Sequence, residues 1–537
     1  MEMTEMRTVA RDLIGDRTLT YHQRVARLAN LAEESLEAPH VGQDCAGALD
    51  KRIICDMFEG HAPYRARYLL PDYQRAVEQG SSFLELPAPT DLNETLWFLI
   101  SMYTQVPSIT GYPVYLGDLD KVLAPFTAGM TIDELTSALR PFWRALDRVL
   151  PDAFVHTDMG PHDSHVARAV LRLERELLQV VPNITLKVHP DHTPDELLLD
   201  AVRTVFECGK PHFVNHEMMV ADLGEQYAAV SCYNSLPIGG GSHTLVRLNL
   251  AELVRAHNGD VEAFFEDALP KYVELTAELM EARIRHLVEQ AHFYDHLWLV
   301  DEGLISPSKF SAMFGIFGLA EAVNQLMEMQ GLSGTYGHDQ AANELSYRIT
   351  AQIATLVSNR PLPYCAGNGG RAFLHSQSGI DSDVGVTAGT RIPVGTEPDL
   401  YEHIRTVAPH HYLFDAGVSD IVHFDDTARR NPEAVVDIIR GAFREGMRDF
   451  TFNLDSNGFV RITGYLVRKS DLESIARGNR HSSAFLGAGA EAQAHVTQRA
   501  PKRVVSNERA AAAAAQPWIS QPCFSQPCAS QPCVSQP

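Results

Sequence analysis

The chain has 537 residues, 45% of them apolar and 21% charged, the balance of a soluble globular protein that can bury a large core. Acidic residues outnumber basic ones 68 to 45, a net charge of −23 with histidine neutral. That charge excludes the basic face that a nucleic acid or an anionic lipid surface would require. No apolar run approaches the length of a membrane span, and Met1 to Asp16 lacks the apolar core of a signal peptide, so the expected location is the cytoplasm.

Residues 1–150 read as a helical N-terminal region, with helical segments at Gln23 to Leu36 and Ile132 to Leu150. From 151 to 430 short apolar runs alternate with helices. Ile184 to Val188, His212 to Asn215 and Ala228 to Cys232 are such runs, and the interleaving predicts α/β architecture with a buried sheet. A helix is expected from Ala268 through Gln290, where Val273, Ala277, Met280, Ile284 and Leu287 alternate spacings of four and three. Pro270 fits only its first turn. A second helix runs from Pro432 to Arg444, capped by Asn431 and stopped at Gly446. It opens a C-terminal region, 431–487, in which Phe450 to Leu454 and Phe459 to Ile462 flank Asp455-Ser-Asn-Gly458, the pattern of a hairpin or tight loop. Beyond about Gly487 the composition collapses into an alanine homopolymer and a Ser-Gln-Pro-Cys repeat. Residues 488–537 are therefore expected to be a disordered tail, whose Cys523, Cys528 and Cys533 could bind a soft metal or cross-link chains.

Two segments carry chemistry. The first is Val460-Arg-Ile-Thr-Gly-Tyr-Leu-Val467. A glycine between β-formers can simply mark a bulge. Glycine is also the residue whose Cα radical can flatten without a side-chain clash, stabilised by the amide nitrogen on one side and the carbonyl on the other. The second segment is Ala228-Ala-Val-Ser-Cys232, followed by Tyr233-Asn234, a Pro-Ile-Gly-Gly-Gly loop, a helix expected to begin near Thr244, and Arg247-x-Asn249. Taken alone, a cysteine after an apolar run is a packed core thiol. The other body cysteines, Cys45, Cys55, Cys208 and Cys365, are scattered and form no C-x-x-C pair.

Together, in this order, the two segments resemble the glycyl radical and cysteine loops of the glycyl radical enzymes. The resemblance implies a stored radical on Gly464 and a working thiyl on Cys232, which abstracts hydrogen from a small polar organic substrate. Thr463 and Phe459 depart from the usual motif, at positions that do not touch the Cα chemistry. Ser231 and Tyr233 flank the cysteine, where acyl-transferring members carry a second cysteine. Asn234 stands where diol dehydratases and several decarboxylases carry a glutamate. Only Cys365 follows Cys232 in the body, so the four-cysteine zinc site of anaerobic ribonucleotide reductases is missing. What remains is similar to the YjjI-type family, from about Tyr21 to about Gly487, which leaves lyase, dehydratase and C–C cleavage reactions open.

The family implies a ten-stranded α/β barrel of two five-stranded halves enclosing both loops. It implies no bound organic cofactor, and a radical S-adenosylmethionine activase with an iron–sulfur cluster that installs the glycyl radical. A homodimer is a further family expectation. Glu217, fifteen residues before Cys232, is the local acid/base candidate. Two histidine groups offer metal ligation: Glu289, His292 and His296 on one helical face, and His156, His162 and His165 in a loop. Gly367-Asn-Gly-Gly-Arg371 could line the site with Arg371 as an anion contact. The alternatives are a non-catalytic or radical-donor homologue and a metal-dependent hydrolase.

Overall fold

Alternation of polar and apolar side chains along the strands sets the architecture of this protein. The computed structural model describes residues 3–17, 19, 21–36, 38–55, 64–107, 109, 114–149, 155–189, 191–376, 385–461, 466–477 and 501–504. In chain order the strands are β1 (Ile54–Cys55), β2 (Tyr68–Leu70), β3 (Tyr115–Asp118), β4 (His156–Met159), β5 (Asn183–Val188), β6 (His212–Asn215), β7 (Tyr227–Val230) and β8 (Asn234–Pro237). There follow β9 (Gly240–Asn249), β10 (Phe310–Phe317), β11 (Phe373–Ser376), β12 (Val422–Phe424), β13 (Asp449–Phe450), β14 (Phe452–Leu454), β15 (Phe459–Arg461) and β16 (Leu466–Arg468).

They build two five-stranded sheets. The first has the order β1-β9-β10-β11, with β2 also pairing β9; the second has the order β13-β6-β5-β4-β3. Within each, the long central pairs are parallel, and β1, β2 and β13 join antiparallel. In the second sheet the register aligns Asp158, Thr185 and His212 on one face. Period two adds His156, Asn183 and Lys187 to that face. The other face carries Met159, Ile184, Leu186, Val188 and Phe213, all within one continuous hydrophobic core. The first sheet alternates likewise, with Val246, Leu248, Phe314, Ile316 and Leu374 opposite Arg247, Gly315 and His375. Each sheet thus has a mainly apolar face and one that carries its buried charged and histidine side chains.

The helices follow the sequence closely, with instructive differences. Ile132–Arg148 begins in a capping box, Thr131 and Glu134 each satisfying the other's backbone. Pro432–Arg444 has the expected bounds, but Asn431 makes no capping bond; its Nδ2 donates to the Thr427 carbonyl at 2.9 Å instead. Leu269–Arg285 passes into a π-helical turn, His286–Gln290, and stops there.

Three expectations are corrected. The first 150 residues are not purely helical, since β1 and β2 belong to the first sheet and β3 to the second. No helix begins at Thr244, because β9 continues to Asn249, whose side chain then caps the helix Leu250–Ala256. The period-two pattern of Val246, Arg247 and Leu248 is what makes this stretch a strand. Of the hairpin or tight loop expected around Asp455-Ser-Asn-Gly458, the structure has the tight loop, since β14 pairs β12 and β15 pairs β16. Within the expected tail, residues 501–504 run along β12: Lys502 N donates to His423 O at 2.8 Å, and Asp425 N to Lys502 O at 3.0 Å. The three tail cysteines lie outside the described residues. No helix among the described residues is long and apolar enough to cross a membrane.

Candidate active site

Cys232 sits at the tip of an antiparallel hairpin, β7–β8, between the polar faces of the two sheets. Its neighbours Ser231 and Tyr233 both adopt left-handed backbone, φ 52° and 64°, which L-residues adopt only when their surroundings impose it. Those surroundings are visible. Ser231 N donates to His156 Nδ1 at 3.1 Å, Ala229 N to Asp158 Oδ2 at 3.0 Å, and Thr185 Oγ1 donates to the Ala229 carbonyl at 3.0 Å. Lys187 Nζ donates to the Tyr227 carbonyl at 2.8 Å. Four polar side chains of the second sheet therefore satisfy the hairpin backbone that no strand pairs. From the other side Gly417, at φ 100°, lies so close to the hairpin that a Cβ there would meet the Tyr233 carbonyl oxygen at 1.9 Å. Asn234 Nδ2 closes the tip by donating to the Val230 carbonyl at 3.3 Å.

Cys232 is buried, 7% exposed, and Ser231 Oγ approaches its sulfur to 3.8 Å. The Tyr68 phenol of the first sheet lies within reach of Ser231 and Cys232; burial pushes it up, against the pull of the Arg67 guanidinium. Beneath the hairpin Lys187 Nζ lies 2.7 Å from Asp118 Oδ1 and 3.7 Å from Asp158 Oδ2. Burial works against the Asp118 charge, yet Lys187 and Lys121 hold its carboxyl below the usual range. Burial pushes Asp158 up to about 7. One buried cation and two carboxylates thus anchor the strand that carries Cys232.

Gly464, with Thr463 and Tyr465, lies outside the described residues, but the strands on either side of it are placed. Arg461 pairs with Leu466 across β15–β16. The Arg461 side chain is fully buried, and its Nη2 donates to the Gly209 carbonyl at 2.9 Å. Its charge reaches the cysteine hairpin: together with burial it keeps His212 well below its usual range, and it opposes the upward push of burial on Tyr233. The Tyr233 and His212 rings meet edge to face, centroids 4.4 Å apart. The root of the glycine loop and the tip of the cysteine hairpin therefore share one buried neighbourhood.

Other candidates fall elsewhere. Glu217 is exposed in the first turn of the helix His216–Leu223. Arg371 is exposed as well. His156 is a buried strand residue against the hairpin, not part of a loop cluster with His162 and His165. The helix ends before His292, where the backbone turns left-handed, so Glu289, His292 and His296 share no helical face; Glu289 pairs with Arg285 and His292 with Asp295. No group of three potential ligands for a metal occurs among the described residues. Asp158, Thr185 and Lys187, which hold the hairpin backbone, were missed. The signal for two of them was the polar–apolar alternation of Asn183-Ile-Thr-Leu-Lys-Val188, which a strand covered by helices on both faces would not show.

Residues 19–502 match the family described as glycyl radical enzyme YjjI-like. The Escherichia coli (strain K12) protein YjjI is 47% identical over 501 residues, 93% of this chain and 96% of that one. Among solved structures, the anaerobic ribonucleotide reductase of Thermotoga maritima with glycerol in the active site aligns with a TM-score of 0.69 at 13% identity, over 88% of this chain and 93% of the reductase. Hydroxyproline dehydratase from Clostridioides difficile aligns with a TM-score of 0.65 at 12% identity, over 90% of this chain and 89% of the dehydratase. These structural likenesses speak to the fold. The match over nearly the whole chain places this chain in the YjjI-like glycyl radical enzyme family.

Proposed function

We propose that the protein stores a radical on Gly464, passes it to Cys232, and uses the resulting thiyl to abstract hydrogen from a small polar organic substrate. The S–H bond is close in strength to an activated C–H bond, so hydrogen exchange among glycine, thiol and substrate can be reversible. The protein contributes position and exclusion of water while the radical performs the hard step. The observation that carries this reading is Arg461, three residues before Gly464, whose buried charge acts on Tyr233, the neighbour of Cys232. The two sheets would close as the ten-stranded barrel of the family around these loops. A radical S-adenosylmethionine activase with an iron–sulfur cluster would install the radical, in the cytoplasm, on a protein that forms homodimers. Glu217 faces solvent, so acid/base work would fall to groups nearer the thiol.

The test is electron paramagnetic resonance of the anaerobically activated protein. Wild type should show a glycyl doublet and Gly464→Ala none. Cys232→Ser should keep the doublet yet convert no substrate, because the alcohol O–H bond is too strong for a glycyl radical to break. A doublet in Gly464→Ala, or turnover by Cys232→Ser, would contradict the assignment.

A further inference from the structure

One hydroxyl lies against the sulfur of Cys232, and two further groups line up behind it. Ser231 Oγ is 3.8 Å from Cys232 Sγ, and Ser231 is buried, 2% exposed. Its left-handed backbone, φ 52°, is held by His156, which accepts from its N–H. The Ser231 side chain also hydrogen-bonds the phenol of Tyr68, buried on β2. Tyr68 in turn meets Arg67, whose Nη2 donates to the phenol oxygen at 3.4 Å. Arg67 is buried as well, and its backbone N–H donates to the His243 carbonyl of β9 at 3.1 Å. A Cβ on Gly241 of β9 would meet the Tyr68 carbonyl oxygen at 2.0 Å, so β2 is pressed onto β9 with no room for a side chain between them.

Arg67 gives this row a direction. A guanidinium only donates, so the phenol oxygen of Tyr68 accepts from it. The Tyr68 O–H then donates to Ser231 Oγ, and the Ser231 O–H donates to the sulfur. Each hydroxyl in the row accepts one bond and gives one, and Sγ stands at the accepting end. Hydroxyls in series polarise one another, and a dry interior strengthens each bond. A sulfur that accepts along one direction turns its own hydrogen along another.

We propose, resting on the radical reading above, that Ser231 and Tyr68 are positioning residues for Cys232, whose hydroxyls fix the direction of the S–H hydrogen that the glycyl radical removes. That hydrogen passes from sulfur to the Gly464 Cα: the S–H bond breaks with one electron left on sulfur, and the Cα–H bond forms with the other. Ser231 and Tyr68 keep their own hydrogens throughout. Misplacing reacting atoms by about 1 Å costs on the order of a hundredfold in rate, so a thiol left to rotate would transfer slowly.

The test has two arms. In full-length protein without activation, the S–H stretching band of Cys232 is isolated by subtracting the infrared spectrum of Cys232→Ala. Ser231→Ala and Tyr68→Phe should each shift that band. Tyr68→Phe should shift it no further once Ser231→Ala is present, because Tyr68 acts through Ser231. In activated protein moved to heavy water, both variants should form the wild-type doublet, while its splitting is lost about tenfold more slowly than in wild type. An unmoved band, additive shifts in the double variant, equal exchange rates, or a wild-type doublet that keeps its splitting would each overturn the proposal. Should Ser231→Ala fail to fold, Tyr68→Phe, which removes one oxygen, decides alone. Failure of the radical reading shows itself differently, as a wild type without the doublet or as exchange by Cys232→Ser at the wild-type rate.

Discussion

At the scale of single residues, burial pushes several acids of the interior toward neutrality, whereas Asp118 keeps its charge beside Lys187 and Lys121. Asp449 is of the first kind. It is 2% exposed, its Oδ2 accepts from Val418 N at 3.0 Å, and burial pushes its pKa up from 3.8 to about 7 against the pull of Arg448. A raised carboxyl favours the fold at low pH, where it is protonated in both states, and this contribution is lost as pH rises to about 7. Asp449→Asn removes the charge and keeps an acceptor for Val418. The variant should match wild type in melting temperature near pH 4 and exceed it at pH 8, the gap reflecting on the order of 4 kcal/mol. A gap of equal size at both pH values would contradict the assignment of a buried, raised carboxyl. The same reasoning explains what could be read from sequence and what could not. Cys232 could be proposed from the sequence because its loop and the Gly464 octet occur in a recognisable order. The supports of its hairpin could not, since Asp158, Thr185 and Lys187 reach it only through the register of β4 and β5.

At the scale of elements, the connection from β14 to β15 shows how a short strand is held without a ladder. Asn453 Oδ1 accepts from Arg461 N at 2.8 Å, and its Nδ2 donates to Arg461 O at 2.9 Å, so one side chain does the work of a neighbouring strand. The two segments were visible as apolar runs around Asn-Gly, but pairing was not, because the choice of partner is made by β12 and β16, far away or beyond the glycine. Asn453→Leu leaves two buried backbone groups unpaired at the root of the glycine loop. It should cost about 2–5 kcal/mol in denaturant unfolding and lower the radical yield per chain. Unchanged stability would mean that β15 is held by β16 alone. Helix bounds were read more easily, since caps and periodicity are local; the misplaced helix at Thr244 failed where a polar-faced strand mimicked a loop followed by a helix.

At the scale of the whole molecule, each five-stranded sheet collects strands from distant parts of the chain, so neither sheet can form from one continuous segment. The second sheet takes β3 from the first 150 residues and β13 from beyond the helix Pro432–Arg444. The C-terminal end is tied down too. Val504 is 2% exposed, and Lys502 Nζ lies 2.8 Å from His403 Nδ1, whose Nε2 donates to Asp420 at 2.7 Å. Truncation after Ser506 should therefore leave the melting temperature unchanged, whereas truncation after Ala500 should destabilise by about 1–3 kcal/mol. Equal behaviour of the two truncations would show that this strand adds nothing. The central claim, that the radical resides on Gly464, is tested most directly by air. A backbone radical that meets dioxygen is cut at its own position. Mass spectrometry of anaerobically activated wild type after exposure to air should find the chain broken at Gly464, with Gly464→Ala intact after the same treatment. An unbroken wild-type chain that had carried the doublet, or a break at another residue, would contradict the account.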